Sequence, residues 1–217
     1  NAFFEDITAN ANGANGLRAN VKTVGPGGAW VFLTVSNSVA NGNTADGFSV
    51  DAVATGNAAQ VFFDNVTAIT NAGDGIDVAA TAGGALAPAI IGFTDTLTLD
   101  NGIHGVRANA RVTAALPGSA NIWGHDMVSA YNTSNGVNLQ ASGASAYALD
   151  FGGGVFFPAG GNNSFYANGY RDMRNQVGGQ TAMAENNWWG QDPPVAGQFQ
   201  GSIDYTPWLA TDPHPLP

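Results

Sequence analysis

Apolar and polar residues alternate in short runs, and the runs return at a nearly constant interval. Phe48-Ser49-Val50-Asp51, Ile76-Asp77-Val78 and Val137-Asn138-Leu139 place an apolar side chain at every second position. That is the period of a strand with one buried face. Each run follows a turn residue and a glycine: Asn15-Gly16-Leu17, Asp46-Gly47-Phe48, Asp74-Gly75-Ile76, His104-Gly105-Val106, Asn135-Gly136-Val137 and Asn168-Gly169-Tyr170. These glycines are 31, 28, 30, 31 and 33 residues apart. Four residues before the first five stand Asn12, Asn43, Asn71, Asn101 and Asn132, whereas Phe165 breaks the series in the sixth. A second strand precedes each turn, as in Val31-Phe32-Leu33-Thr34-Val35, Val61-Phe62-Phe63, Ile91-Gly92-Phe93 and Leu97-Thr98-Leu99. No stretch of useful length carries a 3.6-residue period, so almost no helix is expected.

Self-similarity at this interval predicts an all-β solenoid, a right-handed parallel β-helix of about six coils. The coil is too long for the left-handed hexapeptide solenoid and too poor in helix for the helical repeats. Stacked coils would pair each strand with its equivalents above and below. The recurrent glycine is expected to take a positive-φ corner, and the recurrent asparagine to form an inward ladder of amides. After Asn175 the repeat is expected to dissolve. Residues 1–180 then read as the coils and 181–217 as a capping segment of the same domain. Three of the five Trp fall in that segment, and a bulky, proline-rich end would shield the last open rung.

Composition narrows the partners. Charged residues are only 10% of the chain and the net charge is −10, which disfavours nucleic acid and anionic lipid. There is no cysteine, hence no disulfide framework or thiolate metal site. No apolar run reaches membrane-spanning length.

The ending Asn186-Asn187-Trp188-Trp189-Gly190, followed by Asp204-Tyr205-Thr206-Pro207-Trp208-Leu209, resembles the closing segment of bacterial right-handed β-helix proteins of the pectate-lyase-like superfamily. The resemblance implies a secreted or cell-surface location in a bacterium. It implies little about activity, because that fold hosts lyases, hydrolases, adhesins and tailspikes. The carboxylate clusters that a lyase or a polygalacturonase-like hydrolase needs have no counterpart in the familiar signatures. Gly124-His125-Asp126 matches one fragment of the hydrolase pattern and reads as accidental. The Trp pair reads as part of the cap in preference to a sugar-stacking platform.

All six basic residues fall on strands that follow a glycine corner. Arg18, Arg107 and Arg171 share the second position after the glycine, with Ser49, Asp77 and Asn138 in the intervening coils. Alternation turns this column outward, beside Asn20, Asp51, Asn109 and Gln140, with Arg111 farther along. A planar face of guanidinium, carboxylate and amide groups suits sugar hydroxyls and carboxylates. The candidate ligand residues are therefore Arg107, Asp77, Asp51, Arg18, Arg111, Asn138 and Arg171. No cofactor is expected, and a Ca²⁺ site of Asp51, Asp74 and Asp77 has no motif behind it. The residues favour a non-catalytic extracellular module, a stalk, an adhesin or a binder of polysaccharide or cell-surface glycan. The alternatives are a carbohydrate-active enzyme of the same fold and a subunit that self-associates through its first coil.

Overall fold

A computed structural model describes residues 1–23, 29–158 and 160–216. The alternating runs become seventeen strands, and every strand pairing among the described residues is parallel. In chain order they are β1 (Ala2–Glu5), β2 (Leu17–Thr23), β3 (Val31–Asn41), β4 (Phe48–Ala54), β5 (Ala59–Ile69) and β6 (Ile76–Ala82). Then come β7 (Ala89–Leu99), β8 (Val106–Val112), β9 (Ser119–His125), β10 (Val128–Ala130), β11 (Asn135–Ser142) and β12 (Ala146–Asp150). Five shorter strands finish the series: β13 (Ser164–Tyr166), β14 (Arg171–Asn175), β15 (Ala182–Met183), β16 (Phe199–Gln200) and β17 (Ile203–Asp204). One sheet runs β1-β3-β5-β7-β9-β12-β15-β17 and the other β2-β4-β6-β8-β11-β14-β16. Neighbours in each are one coil apart in sequence, so the chain is a parallel β-solenoid of about six coils. The one helix among the described residues is a three-residue 3₁₀ turn, Ala196–Gln198.

The long strands bend, which gives each coil a third side. Buried positions in β3 run 31, 33, 35 and then 38 and 40, a change of phase across Asn37. Asn37, Asn65, Asp95, Asp126 and Asn162 hold φ between 45° and 53° at successive bends. Asn and Asp tolerate this left-handed geometry better than other residues with a side chain. A second column of left-handed corners contains Gly42, Thr70, Asp100, Tyr131 and Ala167.

The asparagine ladder forms as expected and explains the glycines differently. Asn101 Oδ1 accepts from Asn71 N at 3.1 Å and Asn71 Nδ2 at 3.0 Å. Asn101 Nδ2 in turn donates to Ala68 O and to Asn132 Oδ1, both at 3.0 Å. The same pattern links Asn12, Asn43 and Asn71. Gly16, Gly47, Gly75, Gly105 and Gly136 are absent from the left-handed region, contrary to expectation. Their requirement is steric. A Cβ on any of them would stand 2.7 Å from an amide nitrogen of the ladder, and on Gly47 or Gly75 within 2.7 Å of the next glycine's carbonyl oxygen.

The sixth coil corrects two expectations. Asn132 N and Nδ2 donate to Asn168 Oδ1, so Asn168, not Phe165, continues the ladder. In register, Asn135 pairs with Arg171 and Val137 with Met173, which puts Asp172 opposite Gly136. Asp172 Oδ1 accepts from Asn168 Nδ2 at 2.8 Å and Oδ2 from Gln198 Nε2 at 2.7 Å. A carboxylate, which only accepts, terminates the run of amides. Burial pushes its pKa up.

Beyond residue 180 the ladders persist: β15 joins β12, β16 joins β14, and β17 joins β15. Aromatic side chains there pack in series against the interior. Trp189, 1% exposed, packs against Phe165 at 5.5 Å and Phe199 at 4.7 Å between ring centroids. Phe199 stacks on Tyr205 at 4.2 Å, and Tyr205 meets Trp208.

Candidate functional site: an outward aromatic stripe

The charged column lies on the β2-β4-β6-β8-β11-β14 sheet, in the order Arg18, Ser49, Asp77, Arg107, Asn138 and Arg174. Arg171 is out of it, because the sixth coil places that residue beside Asn135. Its guanidinium instead lies 4.1 Å from the Tyr170 ring. Asn138 is only 2% exposed and touches His104 Nε2 at 3.3 Å. Asp51 stands in the next column with Asn20, Asn109 and Gln140, and Arg111 in the one after with Lys22.

Arg107 is already occupied. Its Nε and Nη2 donate to the two oxygens of Asp77 at 2.9 and 2.6 Å, and Nε is 3.0 Å from Asp74 Oδ2. Asp74 Oδ1 also accepts from His104 N at 2.9 Å. Burial raises the Asp74 carboxyl to about 6, against the lowering effects of the His104 amide and Arg107. Burial likewise lowers His104 to about 4, helped by Arg107 and Arg174. A neutral imidazole fits its role, since Nδ1 accepts from Asn135 N at 3.2 Å. The grooves beside this network are shallow, about 240 Å³ each. Asp74 and Asp77 face a guanidinium where the Ca²⁺ of the sequence reading would sit. Among the described residues no three His, Asp or Glu side chains converge on a metal position.

The opposite sheet carries a different surface. Phe3, Phe32, Phe62 and Trp123 occupy outward phases of β1, β3, β5 and β9. Their rings touch in series: Phe3–Phe32 at 6.0 Å, Phe32–Phe62 at 5.4 Å and Phe62–Trp123 at 5.8 Å. Phe157 continues the line 5.6 Å from Trp123, and Phe156 flanks it at 6.3 Å. The stripe crosses β7 because Gly92 stands between Phe62 and Trp123 in register. A Cβ there would come within 2.3 Å of the Trp123 ring, so the indole lies directly over the backbone. From β1 to β9 the stripe runs roughly 19 Å at one strand spacing per coil.

Hydrogen-bonding groups border the stripe. Thr34, Gln60, Asp64, Thr94 and Asn121 share its outward phase. His125 lies near-parallel to Trp123 at 6.4 Å and 4.5 Å from the Phe157 centroid. Its Nδ1 is 2.7 Å from Asp126 Oδ2. Burial works to raise the Asp126 carboxyl, but hydrogen bonds from Asn162 and His125 prevail and lower it. The His125-Asp126 pair thus braces one end of the stripe. None of the six Lys and Arg residues is on this sheet; they lie in β2, β8 and β14.

The stripe was missing from the sequence reading, although its signal was present. Phe32, Phe62 and Trp123 interrupt their strands at polar phases, where a large aromatic gains nothing from the core.

No curated protein and no solved structure matches the chain. A family model described as "protein of unknown function (DUF1565)" matches residues 31–196, a stretch that holds most of the solenoid and all of the stripe but Phe3. With well over half of its length matched by that model, the chain belongs to the DUF1565 family.

Proposed function

We propose that this β-solenoid is a non-catalytic glycan-binding module of a secreted or cell-surface bacterial protein, and that the aromatic stripe holds a neutral polysaccharide along the solenoid axis. The observation that carries this reading is the unbroken run of outward rings from Phe3 to Phe157. Sugar rings present apolar C–H faces that stack on aromatic faces, while their equatorial hydroxyls reach sideways to flanking polar groups. The stripe has both components, and one coil rise is comparable to one sugar ring. Phe3 is 67% exposed and Phe32, Phe62 and Trp123 are half-buried, and a surface without a partner ordinarily avoids such a continuous run of large aromatics.

Charge selects among glycans. With every Lys and Arg on the other sheet, and Glu5 and Asp64 exposed on the stripe's own sheet, an anionic chain meets only repulsion. Neutral β-linked glycans are thus favoured over pectin or alginate. The same reading takes the solenoid as right-handed, the usual sense of parallel crossovers. It also takes it as akin to the pectate-lyase-like superfamily, on the closing Asn-Asn-Trp-Trp-Gly phrase.

Affinity electrophoresis through gels containing mixed-linkage β-glucan, xylan or glucomannan tests the reading, with pectin and alginate as acidic comparators. At least one neutral glycan is expected to retard the protein, with little effect of added salt. Trp123→Ala should weaken that retardation about tenfold or more, and Arg107→Ala should leave it unchanged. Absence of retardation by every glycan, or a Trp123→Ala protein that migrates like the parent, would overturn the proposal. Release of reducing ends from the bound glycan would overturn its non-catalytic part.

A further inference from the structure

We infer that a second site, separate from the stripe, binds a small organic cation through an ammonium group. The site is a cleft of about 830 Å³ between the second column of corners and the C-terminal segment. Tyr131, Tyr166 and Trp188 form its aromatic walls, and Asp100, Asp212 and Gln198 contribute polar groups. No Lys, Arg or His lines it. Two carboxylates with aromatic faces and no resident cation make a complete electrostatic complement to an ammonium group, because the negative ring face attracts a cation and the carboxylates set its position. An anion would be repelled, and a neutral sugar, though its hydroxyls can donate to the carboxylates, would leave their two negative charges uncompensated.

Two further features point to a built site. Tyr131 holds φ 59° at a corner where other coils carry Gly42, Thr70, Asp100 or Ala167. A side chain in the left-handed region costs backbone energy that a glycine such as Gly42 avoids. Tyr131 is nonetheless 52% exposed, so core packing does not account for it. Its ring meets Tyr166 edge-on at 5.6 Å and 82°, giving two walls of a box. Asp212 is fixed in advance, accepting from Ser164 Oγ and from His214 N. Burial, and then the charge of Asp212, holds the Tyr166 phenol at about 12, so it stays neutral against the ligand.

Calorimetric titration of the full chain with choline tests the site, with 3,3-dimethylbutan-1-ol as an uncharged isostere. Choline is expected to bind saturably, and the isostere at least about tenfold more weakly. Tyr131→Ala and Asp100→Asn should each weaken choline at least about tenfold. Both substitutions suit left-handed corners that already carry Ala167 and Asn162, so the fold should survive, as the thermal midpoint would verify. Trp123→Ala should leave choline binding intact, and Tyr131→Ala should leave glycan retardation intact, which separates this site from the stripe. No heat with choline, equal binding of the isostere, or indifference to both cleft substitutions would overturn the assignment.

Discussion

Asp74 and His104 are neighbours whose titrations oppose each other. A carboxyl raised from 3.8 to about 6 stabilises the fold fully below its unfolded value, and that contribution is lost as pH rises through 6. An imidazole lowered from 6.5 to about 4 contributes fully above 6.5 and loses that contribution as pH falls through 4. The two effects offset each other between pH 4 and 6. Replacing either residue with Asn keeps the corner acceptor, since Asn15 Oδ1 already accepts from Asp46 N, and uncovers the other. Relative to the parent, His104→Asn should lose stability as pH rises through this window, and Asp74→Asn should gain it. Urea midpoints at several pH values between 4 and 7 would check both signs. Parallel profiles for the three proteins would contradict the assignment. Gly92 offers a second test on the other sheet. Gly92→Val forces the Trp123 indole off the backbone, so it should interrupt glycan binding nearly as much as Trp123→Ala while leaving choline binding alone.

The strands and corners stand or fall with the amide ladder. Asn101→Ala would leave the buried Asn71 N–H and one hydrogen of its amide without an acceptor, and would take one donor each from Ala68 O and Asn132 Oδ1. At about 1–3 kcal/mol for each orphaned group, partly relieved by relaxation, the cost should be about 3–5 kcal/mol in urea unfolding. Gly75→Ala should cost about 1–3 kcal/mol through overpacking, because its Cβ meets both Asn101 Nδ2 and the Gly105 carbonyl. The ladder was legible beforehand because Asn12, Asn43, Asn71, Asn101 and Asn132 keep one offset from the glycines. The reason for the glycines was not. Spacing reports that a small residue is needed, but φ and close approach produce the same letter. Coil six departs from the sequence expectation for a related reason. Asp172 fills the glycine position, so the nearest Asn-Gly pair, Asn168-Gly169, attracted a register three residues early and carried Arg171 into a column that belongs to Arg174.

Across the solenoid, the sides divide the chemistry. Basic residues and their carboxylate partners occupy one sheet, the aromatic stripe the other, and the cleft lies where the C-terminal segment crosses the corners. Coil length and strand alternation made this architecture readable, since both are local and repeat about six times. The proposed binding surfaces were not readable in the same way, because they arise from residues about 30 positions apart that become neighbours only when coils stack. The Arg107–Asp77 juxtaposition was anticipated from register, but the strength of their mutual contact makes that face self-satisfied. Phe62 and Trp123, 61 residues apart in the chain, become a contact only through Gly92. The most direct test of the central claim is a heteronuclear NMR titration of the protein with a neutral hexasaccharide from the glycan that retards it. The account predicts shifts at the Trp123 indole N–H and at the amides of Phe32, Phe62 and Gly92, with the Arg107–Asp77 sheet silent. Shifts centred on Arg107 and Asp77, or an indole resonance that does not move, would contradict it.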